Sequence, residues 1–236
     1  MNRFYKDVAT GPAIGGGFAV LLDGRPVRTP DKSLMAAPTE KLAALVAAEW
    51  DAQGDTVIAA SMPLTQLLTT TIDRKALRAQ IEAEMMPYLN GDLLCYRADE
   101  PEALVAEQDM LWNPWLDWFA DRYGVSLLTT NTLVRLDQPD AAHTAVRAAV
   151  SAMDDHMFTA MHTAVSMTGS MVLGLALTQG AITPEDAMRA ALCEEFFYER
   201  IHDLERHGLD PIEEKRRASL ARDLAAVRDY ITATSS

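Results

Sequence analysis

Cysteine is scarce in this chain. Only Cys95 and Cys193 occur among 236 residues, and no C-x-x-C pair is present. Zinc ribbons and thioredoxin-like redox motifs are therefore excluded. The two thiols lie in different apolar-periodic segments and read as free, buried side chains of a reducing compartment, with a single disulfide as the lesser alternative. Long hydrophobic runs are missing too. The longest, Thr163 to Leu177 (TAVSMTGSMVLGLAL), is too short to span a bilayer and is dotted with Ser, Thr and Gly. The opening MNRFYKDVATG has neither the apolar core of a secretory signal nor the Arg- and Ser-rich character of a transit peptide. These absences predict a cytoplasmic protein with no membrane insertion.

Basic charge is in deficit as well. Asp and Glu number 34 against 21 Lys and Arg, for a formal net charge of -13. A field of that sign repels phosphate backbones and anionic lipid, so nucleic acid and membrane are excluded as partners, and partners with basic patches are favoured.

The motifs of catalysis are mostly absent. Gly15-Gly16-Gly17 opens no G-x-G-x-x-G, because Val20 stands where the last glycine belongs, and no Gly-Lys pair exists for a Walker loop. The glycines read as a turn between strands. Gly169-Ser170 lacks the glycine that would complete a nucleophile elbow and reads as a site of close helix packing. There is no H-E-x-x-H. Glu199 to His202 is an E-x-x-H, the spacing of di-iron bundles, but its nearest relative, Asp140 to His143, carries the wrong acid. No metal or cofactor is expected.

What the sequence does contain is a change of style near residue 38. Before it lie short apolar stretches punctuated by Pro and Gly. Phe18 to Leu22 and Pro26 to Thr29 flank Asp23-Gly24, a hairpin signal, and Ser33 to Ala36 is a further candidate strand. After it the periodicity is helical. Thr39 is placed to cap a helix carrying Leu42, Val46 and Trp50 on one face. Helices follow over about 64–76, 78–89, 101–110, 113–123, 139–154 and 157–178. Thr183-Pro184-Glu185-Asp186 and Asp210-Pro211-Ile212-Glu213 are two more helix starts, and His207-Gly208 reads as a helix end. The fold class predicted is α+β: a small β-rich N-terminal domain with one helix, residues 1–70, followed by a larger all-α-helical domain, residues 71–236.

Three clusters are candidates for function. Glu195, Glu199, His202 and Arg206 share one helical face and suit spaced ion pairs, whereas Glu194 lies on another stripe with Ala191, Tyr198 and Ile201, partly shielded. Met153, Met157 and Met161, then Met167 and Met171, recur four apart, which fits a Met-lined core or an adaptable binding surface. Trp112, Trp115 and Phe119 share a core face, and Trp118 falls off it. Trp50 reads as structural, on a stripe with Leu42 and Val46.

The stretch AAEWDAQGDTVIAASMPLTQLLTTTID closely resembles the hallmark segment of the Atp-twelve-type assembly chaperones of the F-type ATP synthase, found in alphaproteobacteria and mitochondria. Glu49, Trp50 and Gln53 match its Glu-Trp-x-x-Gln, Met62, Leu64 and Thr65 its Met-x-Leu-Thr, and Asp73 the acid that follows. RFYKDV, LDGRPVRTP, DLLCYR with the aromatic helix after it, and TGSMVLGLALTQGAIT are similar to further family segments in the right order. Towards the end the chain departs from the pattern. Alignment from Gly180 makes Glu194 and Glu195 the family's functional acids; alignment back from His207-Gly208 favours Glu199.

The resemblance implies a binding protein and no enzyme. It would be a chaperone that holds the unassembled α subunit of the catalytic head and shields its β-facing interface until the αβ ring forms. It also implies a monomer without nucleotide or metal, cytoplasmic in bacteria and in the mitochondrial matrix for eukaryotic relatives. Glu194, Glu195 and Glu199 are then partner-binding residues, and Trp50, Met62, Pro63 and Asp73 structural or domain-junction residues. The alternatives are a small acidic helical metalloenzyme or hydrolase using Glu199 and His202, and a generic holdase.

Overall fold

The computed structural model describes residues 1–201 and 210–235. The helix end at His207-Gly208, and His202, Glu205 and Arg206, lie outside the described residues. The chain has a small antiparallel sheet followed by many helices, as the α+β expectation required. It packs into two compact units.

The first unit comprises Met1–Ala79, Asp155–Ala160 and the chain from Ala226 onward. Its sheet is built on β2 (Phe18–Leu22), which pairs with β1 (Val8–Pro12) on one side and with β3 (Arg25–Pro26) and β4 (Ala36–Ala37) on the other. Asp23 and Gly24 both take positive φ, 48° and 75°, and close the hairpin at Leu22↔Arg25. That conformation is the reason an Asp-Gly pair belongs there. The glycine triplet turns the chain from β1 into β2, and at Gly17 a Cβ would stand 2.4 Å from the Ala37 carbonyl oxygen. Three elements differ from expectation. β1 was not foreseen, since Gly11 and Pro12 mask its alternation, the strand expected over Pro26 to Thr29 is only Arg25–Pro26, and the candidate strand at 33–36 shifts to Ala36–Ala37.

Helix α1 (Glu40–Asp51) begins where Thr39 Oγ1 accepts the Leu42 N–H at 3.1 Å, and it buries Leu42, Val46 and Trp50. Its last turn explains the hallmark segment. The Glu49 carboxylate accepts the backbone N–H groups of Leu64 (2.8 Å) and Thr65 (2.7 Å) and the Thr65 hydroxyl (2.7 Å). It thereby caps α2 (Pro63–Asp73), whose first residue is a proline with no N–H to satisfy. Gln53 ties the intervening loop, donating to the Glu49 carbonyl at 3.0 Å and accepting from Ile58 N–H at 2.8 Å. Glu49→Ala is expected to cost about 1–2 kcal/mol, the range for a lost helix cap, measured by urea denaturation. At the other end of α2, Asp73 accepts from Thr29 Oγ1 at 2.6 Å.

The N-terminal motif closes on the same helix. The Tyr5 hydroxyl donates to the Trp50 carbonyl at 2.6 Å, the two rings meet edge to face 5.7 Å apart, and Arg3 donates to the Asp51 carbonyl at 3.1 Å. The unit is completed from far along the chain. Tyr230 Oη bonds Thr71 Oγ1 (3.0 Å) and His156 Nδ1 (2.7 Å), Thr39 Oγ1 donates to the Ala233 carbonyl, and Arg78 pairs with Asp155 at 3.0 Å.

The second unit, Gln80–Asp154 with Met161–Ala225, is helical. Around α4 (Glu102–Tyr123) pack α5 (Asp140–Ser151), α7 (Met171–Thr178), α8 (Pro184–Ala191) and α9 (Cys193–Ile201). The preceding helices are α3 (Arg78–Met85) and, between α5 and α7, α6 (Asp155–Thr168); α10 (Pro211–Thr234) ends the described chain. Two expected breaks moved. The stretches 101–110 and 113–123 form one helix through Pro114, because burial of Leu104, Gln108, Trp112 and Phe119 along it outweighs the cost of an interior proline. Residues 157–178 form two helices, because Gly169 takes a positive φ of 67° and the Ser170 hydroxyl caps α7 by accepting the Leu173 N–H. The close packing assigned to Gly169-Ser170 belongs to Gly174, where a Cβ would lie 2.4 Å from Val165 Cγ2.

The D-x-x-C-Y-R region is the polar heart of this unit. Asp92, wholly buried, accepts from Ser170 Oγ (2.8 Å), Val172 N–H (3.0 Å) and Leu94 N–H (3.0 Å). Cys95 and Cys193 are free and buried, and burial pushes both thiols up, Cys193 to about 11, so neither is a poised nucleophile. Arg97 lies over the Trp112 ring, and the Trp112 indole donates to the Ala190 carbonyl at 2.8 Å. Of the methionine series, Met161 and Met171 are fully buried and Met153, Met157 and Met167 half-buried.

Candidate functional site

The acidic helix α9 meets the start of α10 through charge. Arg217, buried on α10, forks onto the Glu199 carboxylate, with Nη1 to Oε2 at 2.7 Å and Nη2 to Oε1, while its Nε donates to Glu213 at 2.9 Å. Its guanidinium also lies over the Phe196 ring at 4.8 Å. Arg216 bridges Glu213 (2.7 and 2.8 Å) and Glu195, and Arg217 Nη2 reaches Glu195 at 3.5 Å. The hydrogen bonds from Arg216 and then Arg217 hold the Glu213 carboxyl down at about 2. The bond that Arg217 donates to Glu199 likewise raises the Arg217 pKa. Fork-to-fork pairing of this kind fixes geometry as well as charge.

The three candidate acids therefore differ. Glu199 has both oxygens on Arg217 and is half-buried. Glu195 is exposed and shared between the two arginines. Glu194 is also exposed. Its Oε1 accepts from the amide of Gln108, a buried residue of α4 whose other end accepts the Ala98 N–H. The partial shielding expected for Glu194 is not found, because its stripe neighbours Tyr198 and Ile201 are themselves 42% and 56% exposed. The described partners of Glu195 and Glu199 come from α10, a long-range pairing that spacing within one helix does not reveal. Among the described residues no group of three or more His, Cys, Asp or Glu is placed to hold a metal ion, and no helix is long and apolar enough to cross a membrane.

The structural candidates fall elsewhere. Trp50, Met62 and Asp73 lie in the first unit, Trp50 and Met62 buried, and Pro63 begins α2 beside them. Sequence reasoning missed Glu49 as a cap, Asp92 as a buried acceptor and Arg217 as the organiser of the acidic helix.

Residues 2–120 match the family model described as ATP12 chaperone protein. This chain belongs to the ATP12 chaperone family. The crystal structure of Atp12 from Paracoccus denitrificans is 34% identical, with a TM-score of 0.84 over 99% of this chain and 98% of that one. The Atu1473 protein from Agrobacterium tumefaciens is 36% identical, with a TM-score of 0.88 over 98% of this chain and 85% of that one. With ATP12 membership come the fold and the chaperone role in ATP synthase assembly that the order of motifs implied. Membership also implies a non-enzymatic role.

Proposed function

We propose that this ATP12 chaperone binds the unassembled α subunit of the F-type ATP synthase head, shields its β-facing interface, and leaves as the αβ ring forms. The observation that carries the reading is the outer face of α9. There the Glu194 carboxylate stands beside exposed Tyr198 and Ile201, with Glu195 next to it. An aromatic and an aliphatic group flanked by acids suit an orphan subunit interface, which is apolar at its centre and polar at its rim. Glu194 and Glu195 are the contact acids, meeting basic or amide groups of the α subunit. Glu199 acts one step back, holding Arg217 and hence α10 against α9. Trp50, Met62, Pro63 and Asp73 serve as structural residues that hold the first unit together. The protein works as a monomer.

The test is co-expression with the isolated α subunit, reading soluble α and a co-eluting complex, with an unrelated aggregation-prone protein as control. Soluble α appears only when this chain is present, and the control is not rescued. Glu194→Ala and Glu195→Ala each lower the recovered complex several-fold, with a small fall in thermal midpoint from the Gln108 amide and the arginine bridge they release, whereas Glu199→Ala lowers the midpoint most because it removes the forked partner of a buried guanidinium. Undiminished α binding by all three variants rejects the acidic contact. Equal rescue of the control makes the protein a generic holdase.

A further inference from the structure

A cavity of about 640 Å³ opens on the first unit, far along the chain from the acidic helix. Tyr5, Leu22, Val27 and Trp50 are its buried walls, and Met1 and Phe4 its exposed ones, 68% and 64% accessible. The exposed walls are held in place by backbone pairing: Val57 N–H donates to the Met1 carbonyl at 2.8 Å, and Arg3 N–H to the Asp55 carbonyl at 2.8 Å. Two apolar side chains fixed open to solvent around an apolar hollow are a binding feature rather than a packing one.

Charge gives the hollow a sign. Exposed Arg25 and Arg28 line it with one acid, Asp23, whose carboxylate is engaged by the backbone N–H groups of Asp7 (2.9 Å) and Lys6 (3.0 Å). This sign is local. Residues 1–79 carry nine Lys and Arg against eight Asp and Glu, so the whole acidic excess of the chain lies beyond residue 79. One wall of the hollow, Trp50, carries an indole N–H that is itself buried from solvent. Trp50 is 8% exposed and its indole Nε1 has no hydrogen-bond partner among the described residues. Buried indole N–H groups ordinarily find one.

We propose that this cavity docks a short peptide segment of the client. A large aliphatic or aromatic side chain enters the apolar hollow against Trp50, and a neighbouring Asp or Glu meets Arg25 and Arg28. The identity of the client rests on the assembly role proposed above, and the segment is accordingly one of the α subunit. The contact is separate from that of α9 and opposite in charge, so the two recognise different parts of one partner.

The experiment uses the full chain labelled with ¹⁵N-tryptophan, the Trp50 indole signal being assigned from Trp50→Phe, titrated with short overlapping peptides covering the α subunit. The peptides that bind are those with an apolar residue beside Asp or Glu, they shift the Trp50 indole signal, and their Lys-for-acid versions bind at least about tenfold more weakly. The double variant Arg25→Glu/Arg28→Glu, on exposed positions, loses the same factor at unchanged thermal midpoint, and Phe4→Ala weakens binding independently. No binding peptide, binding that leaves the Trp50 signal in place, or equal binding by the double variant each overturns the proposal. If intact α still co-purifies with the wild-type chain after such a failure, only the cavity is rejected. If intact α does not co-purify, the assembly role falls on its own account.

Discussion

Replacing Trp50 by alanine is expected to lower stability by about 3–5 kcal/mol, the range for emptying a core aromatic site. The ring is one of the largest groups buried in the first unit and packs edge to face on Tyr5. The hydrogen bond between the two residues runs to the Trp50 backbone carbonyl, so alanine keeps it. The indole nitrogen contributes no bond to lose among the described residues. The loss is therefore one of apolar burial and of the cavity left behind, and Trp50→Phe recovers most of it. Urea denaturation at neutral pH measures both. Wild-type stability in the alanine variant, together with failure to bind the client, would make Trp50 a contact residue instead.

Asp92→Asn is the second large effect, and it depends on pH. Burial pushes the Asp92 carboxyl up to about 6, against the pull of its hydrogen bonds from Val172, Ser170 and Leu94. The unfolded chain returns it to about 3.9. A carboxyl raised on folding stabilises most below its unfolded value, and that contribution is lost as pH rises through the folded one. The window is thus about pH 4 to 6. Near pH 7.5 the asparagine costs about 1–3 kcal/mol, because its amide cannot accept the Val172 N–H that a carboxylate oxygen accepts. Near pH 4.5 the difference between the two proteins grows by about 2 kcal/mol, since only the wild type recovers the carboxyl term. Every other titrating group is common to both and cancels. A difference that shrinks on acidification would show that the site favours the ionised form.

Local chemistry was legible where one or two residues decide a conformation. Asp23-Gly24 specifies the hairpin, and Thr39 and Thr183 announce α1 and α8 by hydroxyls that accept first-turn N–H groups. Where distant burial decides, spacing misled. Pro114 carries the signal of a helix end, yet the helix runs on because Trp112 and Phe119 are both needed inside. Ser170 carried a readable capping signal, obscured by the apolar run that follows it. The site shows the same division. Its acids stand out in the sequence as a charged helix, but which of them is occupied depends on Arg216 and Arg217, about twenty residues on and in another helix. The hallmark Glu-Trp-x-x-Gln was recognisable without any physical account. The account is a carboxylate and an amide that build the next helix start, and no propensity scale contains it.

The way the first unit is completed sets a schedule for the protein's own birth. Its sheet and first two helices emerge early from the ribosome, but Tyr230, which bridges Thr71 and His156, and the Ala233 carbonyl that takes the Thr39 hydroxyl are translated more than 150 residues later. A nascent chain halted at residue 225 has made the hallmark segment yet lacks its closing strap. Domains ordinarily fold in order as they leave the ribosome, N-terminal first. Here the first unit is incomplete until the residues beyond 225 have been made.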